Sequence, residues 1–213
     1  MRLVCLAILL SPAIALAQSN AHTNLDQLLK TVENRYNRVQ SLQLDFSETY
    51  AGYRRPVQNE SGVLYLRKPG RMRWEYATPP GKVFLSDGKN VFLYTPDDRR
   101  AEKSSLKQSE DERAPLAFLL GKLDFNKEFK SFRTRPEGAS LWIAATPKSD
   151  NIAYTEVEFL ATRDGQIQHL RVTGQDHSKL DFAFSNERQN MALSPALFVF
   201  KAPAGVEIVE AGQ

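Results

Sequence analysis

Apolar residues recur every three or four positions near the start of the chain and every second position over most of the remainder. The first pattern spans residues 24–41 and predicts a helix with one apolar face. Asn24 is expected to be its N-cap, with Gln27 three residues later as in a capping box. The apolar face comprises Leu25, Leu28, Leu29, Val32, Tyr36 and Val39.

The alternating pattern predicts β-strands, because successive side chains of a strand lie on opposite faces of a sheet. Strong turn signals separate the strands, as at Asp87-Gly88 and Asp164-Gly165. Residues 97–114 are charged and predict no strand. The expected strands are centred on residues 42–46, 63–66, 72–76, 82–85, 91–94, 129–134, 140–146, 154–162, 166–173 and 179–184, with a possible short strand at 206–209.

Two further short elements interrupt this series of strands. Residues 114–121 predict a helix that is apolar nearly all round, with Pro115 in its first turn and Gly121 at its end. Ser194-Pro195 predicts a turn or short helix. We therefore expect a mainly β (α+β) fold, in which a single curved antiparallel sheet forms an unclosed β-barrel covered by short helices.

The first seventeen residues have the pattern of a cleavable export signal. Arg2 precedes an apolar run over residues 3–10, and Ala15-Leu16-Ala17 matches the small-x-small pattern of a signal peptidase site. Cleavage after Ala17 would leave residues 18–213 as one exported domain. The sole cysteine, Cys5, lies in the apolar run, so we expect neither a disulfide nor a lipid anchor in the mature chain.

Charge and chemistry-bearing residues point away from several classes of function. A formal net charge of +3 gives no reason to expect nucleic acid. His22, His169 and His177 lack the spacing of a metal motif, and no nucleophile elbow or phosphate-binding glycine loop occurs. We predict no metal, no cofactor and no enzymatic activity. A hydrolase stays open as an alternative, because catalytic residues can assemble across strands.

One face of two adjacent predicted strands is strongly apolar. Leu64 and Leu66 share a face of one strand, and Met72, Trp74 and Tyr76 share a face of the next. With the apolar 114–121 helix these residues either line a cavity or fill a packed core. Periodicity does not distinguish the two, and a packed core is the simpler interpretation.

Lys68 has the same strand parity as Leu64 and Leu66, so we expect it on their face. An ammonium group there needs acceptors or water. It could hydrogen-bond the backbone carbonyls of a covering helix and hold that helix as a lid. Alternatively, Lys68 belongs to a solvated turn shaped by Pro69 and Gly70.

The residues from Gly62 to Tyr76, followed by Pro79, Ser86-Asp87-Gly88-Lys89 and Tyr94-x-Pro96, resemble the LolA family. The order of helix, strands, apolar middle helix and further strands resembles the family over nearly the whole mature chain. The resemblance implies a periplasmic, monomeric carrier of outer-membrane lipoproteins. Such a carrier takes its cargo from a LolCDE-type ABC transporter in the inner membrane, shields the acyl chains in a hydrophobic cavity and delivers them to a LolB-type receptor.

By position, the resemblance implies roles for particular residues. Lys68 stands where the family commonly has an arginine that holds the lid, and Met72 stands where an aromatic is common. Three leucines of the middle helix are implied to form the lid, namely Leu116, Leu119 and Leu120. The alternatives are a carrier of another lipid or glycolipid, the LolB-type receptor itself, an envelope-stress sensor with a similar half-barrel, and a hydrolase.

Overall fold

The computed structural model describes residues 14–52, 56–106 and 123–211, with side chains from residue 25 onward. The strands are β1 Ser41–Ala51, β2 Gln58–Arg67, β3 Arg71–Thr78, β4 Val83–Asp87, β5 Asn90–Thr95, β6 Arg100–Ser105, β7 Phe129–Glu137, β8 Ser140–Pro147, β9 Tyr154–Ala161, β10 Ile167–Gly174, β11 Lys179–Gln189 and β12 Glu207–Glu210. The α-helices are α1 Ile14–Arg38 and α2 Phe125–Glu128, and the 3-10 helices are Pro96–Asp98 and Pro195–Phe198. Among the helices of the described residues, none combines the length and apolar character needed to cross a bilayer.

The twelve described strands form one sheet in the order β12-β6-β5-β4-β3-β2-β1-β11-β10-β9-β8-β7. We call β1–β6 the first half and β7–β11 the second half. Each half is a meander of antiparallel neighbours, and antiparallel pairing of β1 with β11 joins them. The predicted mainly β sheet is confirmed. Because β7 and β12 lie at opposite edges of the described sheet and do not pair, the barrel is unclosed.

The sheet curls strongly around its apolar side. Trp74 on β3 and Phe182 on β11 belong to strands three positions apart, which would be roughly 14 Å across a flat sheet. Their ring centroids are nevertheless 5.1 Å apart. The Phe46 ring on β1 packs edge-to-face with the Trp74 ring, with ring centroids 4.7 Å apart. The curl therefore brings side chains from both halves together over one concave face.

Helix α1 differs from its prediction at both ends. It begins at Ile14 rather than residue 24, so Asn24 lies inside the helix and its prediction as N-cap is wrong. The reason is that strong helix formers such as Ala15, Ala17 and Ala21 extend it, and no glycine or proline interrupts it. It ends at Arg38 rather than residue 41, since β1 starts at Ser41.

Strand β6 lies in the 97–114 segment for which no strand was predicted, and that prediction is wrong. Its residues are mostly charged or polar, and Ala101 is the one that is fully buried. Backbone pairing with β5 on one side and with β12 on the other holds it in place. The predicted short strand near the C-terminus is confirmed as β12, which pairs with β6 in parallel and departs from the antiparallel order.

Two glycines permit close backbone approaches that shape the barrel. At Gly62, where β2 bulges against β3, a Cβ atom would lie 1.9 Å from the carbonyl oxygen of Glu75. Gly165 in the predicted β9–β10 turn has a φ of +82° and would place a Cβ atom 3.0 Å from the backbone of Thr31 on α1. The turn can therefore pack directly beneath the helix.

Candidate functional site: the covered concave face

The concave face carries one continuous hydrophobic cluster drawn from both halves of the sheet and from α1. We call the volume that these side chains occupy the interior. The five residues predicted to share an apolar face all lie in it and are at most 5% exposed: Leu64, Leu66, Met72, Trp74 and Tyr76. From the helix, Leu29, Val32 and Tyr36 are equally buried and close over the face.

The apolar face becomes polar beyond Tyr76. The Tyr76 hydroxyl donates to the buried carboxylate of Glu48 at 3.1 Å. Beside it, the Lys82 ammonium forms an ion pair with Glu60 and lies 4.5 Å from the centre of the Tyr76 ring. Tyr76 is therefore a boundary residue, with its ring against the apolar cluster and its hydroxyl toward a buried charged group.

Helix α1 is hydrogen-bonded to the second half through Tyr36. Its hydroxyl donates to Glu187 on β11 at 3.0 Å and accepts from the backbone N–H of Ile167 at 2.9 Å. Burial and the nearby charge of Glu187 raise the pKa of the Tyr36 phenol, so it stays protonated as a donor. Arg35 adds an ion pair to the same Glu187 carboxylate at 2.7 Å.

Two more side chains of α1 hold the segment that leads into the second half. Asn37 donates to the carbonyl of Leu123 at 2.9 Å and accepts from the N–H of Leu123 at 2.6 Å. Glu33 accepts from the N–H of Phe125 at 2.9 Å. Because Glu33 and Asn37 are four residues apart, they project from the same side of the helix and act on adjacent stretches of this segment.

Lys68 reaches α1 from the first half. Its ammonium donates to the carbonyl oxygens of Tyr36 at 3.0 Å and Asn37 at 2.9 Å. These carbonyls belong to the last turn of the helix, where i+4 partners run out and where a cation is favoured by the helix dipole. The Tyr36 carbonyl also accepts from the N–H of Val39 at 3.3 Å. Burial lowers the pKa of the Lys68 ammonium.

The structure brings together some predicted residues and does not describe others. Lys68 lies at the end of the face formed by Leu64 and Leu66, and the helix whose carbonyls it contacts is α1. The predicted lid residues, Leu116, Leu119 and Leu120, lie outside the described residues.

Sequence reasoning missed Glu33, Asn37 and Glu187 as anchors of α1. A weak signal existed for the first two, as a polar pair at i and i+4 beside the apolar stripe. None existed for Glu187, because its contacts with α1 join residues about 150 positions apart.

An unclosed, strongly curled sheet with a helix anchored over its apolar concave face defines a class of half-barrel proteins that enclose an interior. A profile of the family described as "Outer membrane lipoprotein carrier protein LolA" matches residues 37–201. The chain belongs to the LolA family.

Individual relatives share much of the chain. An outer-membrane lipoprotein carrier protein of Bordetella avium is 30% identical over 213 residues, covering 98% of this chain and 96% of its own. A protein of the same description from Chromobacterium violaceum is 29% identical, covering 79% of this chain and 81% of its own. Among solved structures, a LolA superfamily protein from Nitrosomonas europaea is 10% identical, with a TM-score of 0.46 over 82% of this chain and 97% of its own.

Proposed function

We propose that this protein carries outer-membrane lipoproteins through the periplasm by enclosing their acyl chains in the interior. The observation that carries this proposal is a continuous apolar concave face, covered by an anchored helix, in a member of the LolA family. Relatives that match nearly the whole chain are described as outer-membrane lipoprotein carrier proteins. The role consists of binding and release, without covalent chemistry.

The energetics of lipid transfer explain why such a carrier needs a covered interior. Each methylene group buried away from water contributes about 0.8 kcal/mol, so acyl chains do not cross an aqueous compartment unshielded. Leu64, Leu66, Met72, Trp74 and Tyr76 would line the lipid-binding part of the interior. Met72 is suited to varied acyl chains, because methionine is flexible and polarisable.

Cargo binding requires α1 or another cover to move relative to the first half. We assign Lys68 the role of holding the cover in the lipid-free state, since its two hydrogen bonds join the first half to the last turn of α1. Leu116, Leu119 and Leu120 are proposed from the family resemblance alone to contribute to the cover. Lipid would bind preferentially to the open state and shift the population toward it.

The family resemblance supports the remaining parts of the proposal. The leader of residues 1–17 would direct the chain to the periplasm. A LolCDE-type ABC transporter would supply the cargo and a LolB-type receptor would accept it. The carrier would act as a monomer that binds one lipoprotein.

The test is release of lipoproteins from spheroplasts. Spheroplasts making labelled lipoproteins are incubated with purified residues 18–213, and the soluble fraction is analysed for a one-to-one complex. The carrier protein of Bordetella avium serves as the positive control, and buffer alone as the negative control. We expect release of outer-membrane lipoproteins. If the control protein releases them and this protein does not, the lipoprotein proposal fails and a different lipid or glycolipid cargo is favoured.

A further inference from the structure

Trp74 carries a hydrogen-bond donor that no described residue accepts. Its side chain is fully buried, and within the described part of the chain its indole Nε1 has no hydrogen-bond partner. Buried tryptophan N–H groups usually find an acceptor, because an unpaired donor in an apolar environment has lost its hydration without compensation. The described rings packed on Trp74, those of Phe46 and Phe182, contain no oxygen or nitrogen that could accept.

The second tryptophan of the chain shows the contrast. Trp142 lies on β8 on the opposite face of the sheet from the hydrophobic cluster, against Arg171 and His169. Its Nε1 donates to the carboxylate of Glu137 at 2.7 Å. Among the described residues, the indole donor on the outer face of the sheet therefore has an acceptor and the one in the interior has none.

The chemistry of an unpaired indole N–H restricts what can satisfy it. The group donates and does not accept, so a ligand must supply an acceptor. An acceptor that enters an apolar interior must be neutral, since burial of an unpaired charge is far more costly than burial of a carbonyl. An ester or amide carbonyl at the root of an acyl chain meets both requirements, because hydrocarbon extends from it into the interior.

We infer that Trp74 is a specificity-determining residue whose indole N–H binds the ester or amide carbonyl of an acyl chain. This inference rests on the proposed lipid-binding function and adds to it. The apolar cluster supplies affinity for hydrocarbon of any kind. The Trp74 donor distinguishes acyl lipids, which carry a carbonyl, from alkyl lipids of equal length, which do not.

The test compares two lipids that differ in the carbonyl group alone. Binding of dipalmitoylglycerol and of its ether analogue dihexadecylglycerol is measured by displacement of a fluorescent fatty-acid probe from purified residues 18–213.

The variants are Trp74→Phe, which keeps an aromatic ring without the donor, and Trp142→Phe as the matched control. For the wild type and for Trp142→Phe we expect the ester lipid to bind roughly three- to tenfold more tightly than the ether lipid. For Trp74→Phe we expect this ratio to fall to about one, because the ester lipid loses more affinity than the ether lipid.

A second measurement uses no substitution of Trp74, so it does not depend on whether Trp74→Phe folds. In protein labelled with ¹⁵N at the indole nitrogens, Trp142→Phe assigns the two indole signals. We expect the Trp74 N–H signal to move downfield when the ester lipid binds and not when the ether lipid binds.

The outcomes separate this inference from the proposed function. Equal affinity of the wild type for both lipids, or an unmoved Trp74 signal with the ester lipid bound, overturns the hydrogen bond and leaves the carrier proposal intact. An equal loss of affinity for both lipids in Trp74→Phe means that Trp74 acts by packing and also overturns it. A wild type that binds neither lipid overturns this inference together with lipid binding itself.

Discussion

The two halves of the sheet hold helix α1 in different ways. The second half and the segment leading into it bind the helix at several points, through the buried side chains of Tyr36 and Glu33 and the half-buried side chain of Asn37. Among hydrogen bonds between the described residues, the first half reaches the helix through Lys68. The difference indicates that hydrogen bonds attach α1 more firmly to the second half than to the first. The pairing of β1 with β11 and the shared hydrophobic cluster still join the two halves, so loss of the Lys68 contact is expected to loosen α1 over Met72 and Trp74 rather than to separate the halves.

The largest expected effect comes from the packed core of the second half. Phe159 stacks on Phe125 with ring centroids 5.1 Å apart and is 1% exposed. Phe159→Ala should lower the free energy of unfolding by about 3–5 kcal/mol, because truncation leaves a cavity that the sheet cannot close. Urea denaturation followed by circular dichroism measures it. Phe132→Ala, at a half-exposed position in contact with Phe125, is the control and should lose much less; equal losses would contradict a filled core here.

The next largest effect concerns the anchor at Glu187. Glu187→Ala removes the acceptor of the Tyr36 hydroxyl and the nearer carboxylate partner of Arg35, which keeps Asp164 at 3.2 Å. We expect a loss of about 2–3 kcal/mol in the free energy of unfolding, less than for a fully buried pair because Arg35 is partly exposed. Glu187→Gln keeps one carbonyl acceptor and should lose about half as much. Equal stability of Glu187→Ala and the wild type in the same urea titration would show that this anchor does not stabilise the fold.

Asn37 tests the bond between α1 and the segment that leads into the second half. Asn37→Ala should lower the free energy of unfolding by about 1–2 kcal/mol, since both backbone groups of Leu123 lose their partner. Asn37→Asp keeps the acceptor for the Leu123 N–H and loses the donor. Hydrogen exchange at the Leu123 amide should therefore accelerate in Asn37→Ala and much less in Asn37→Asp. An unchanged exchange rate in Asn37→Ala would disprove the contact.

Lys68 is expected to have the smallest effect on stability and the clearest effect on access to the interior. Lys68→Leu should change the free energy of unfolding by about 1 kcal/mol or less. The variant loses two hydrogen bonds, but it no longer buries an ammonium group, and these two effects oppose each other. It should, however, increase binding of a dye that fluoresces in apolar surroundings and weaken discharge of bound lipoprotein. Lys68→Arg, which keeps the charge and the donors, is the control. Dye binding and lipoprotein retention identical to the wild type in Lys68→Leu would contradict the role of Lys68 in holding α1 against the first half.

Much of the fold was predictable because it depends on local patterns. Alternation located the strands of both meanders, and turn residues such as Asp164-Gly165 located the hairpins between them. Strand β6 escaped prediction, since backbone pairing rather than apolar alternation maintains a polar strand between β5 and β12. The start of α1 was misplaced, because an apolar stripe marks the part of a helix that packs rather than the whole of it.

Part of the candidate site was likewise predictable from the sequence, and part of it was not. Strand parity placed Leu64, Leu66, Met72, Trp74 and Tyr76 on one face, and Lys68 beyond them on the same side. The anchors of α1 were not predictable, because Glu187 meets Tyr36 only after β1 has paired with β11. Periodicity also gave no indication that Tyr76 would stand at the boundary between apolar and charged groups.

The sequence by itself determined which residues face inward, because side-chain direction follows from backbone geometry over a few residues. It also determined the order of the meanders and the family to which the chain belongs. Only the tertiary structure decided how far the sheet curls, which half holds α1 more firmly, and that the buried indole N–H of Trp74 meets no acceptor among the residues that the structure describes. Those properties depend on contacts between residues that are far apart in the sequence. Whether two such groups interact depends on their separation in the folded protein, which the local pattern of residues does not specify.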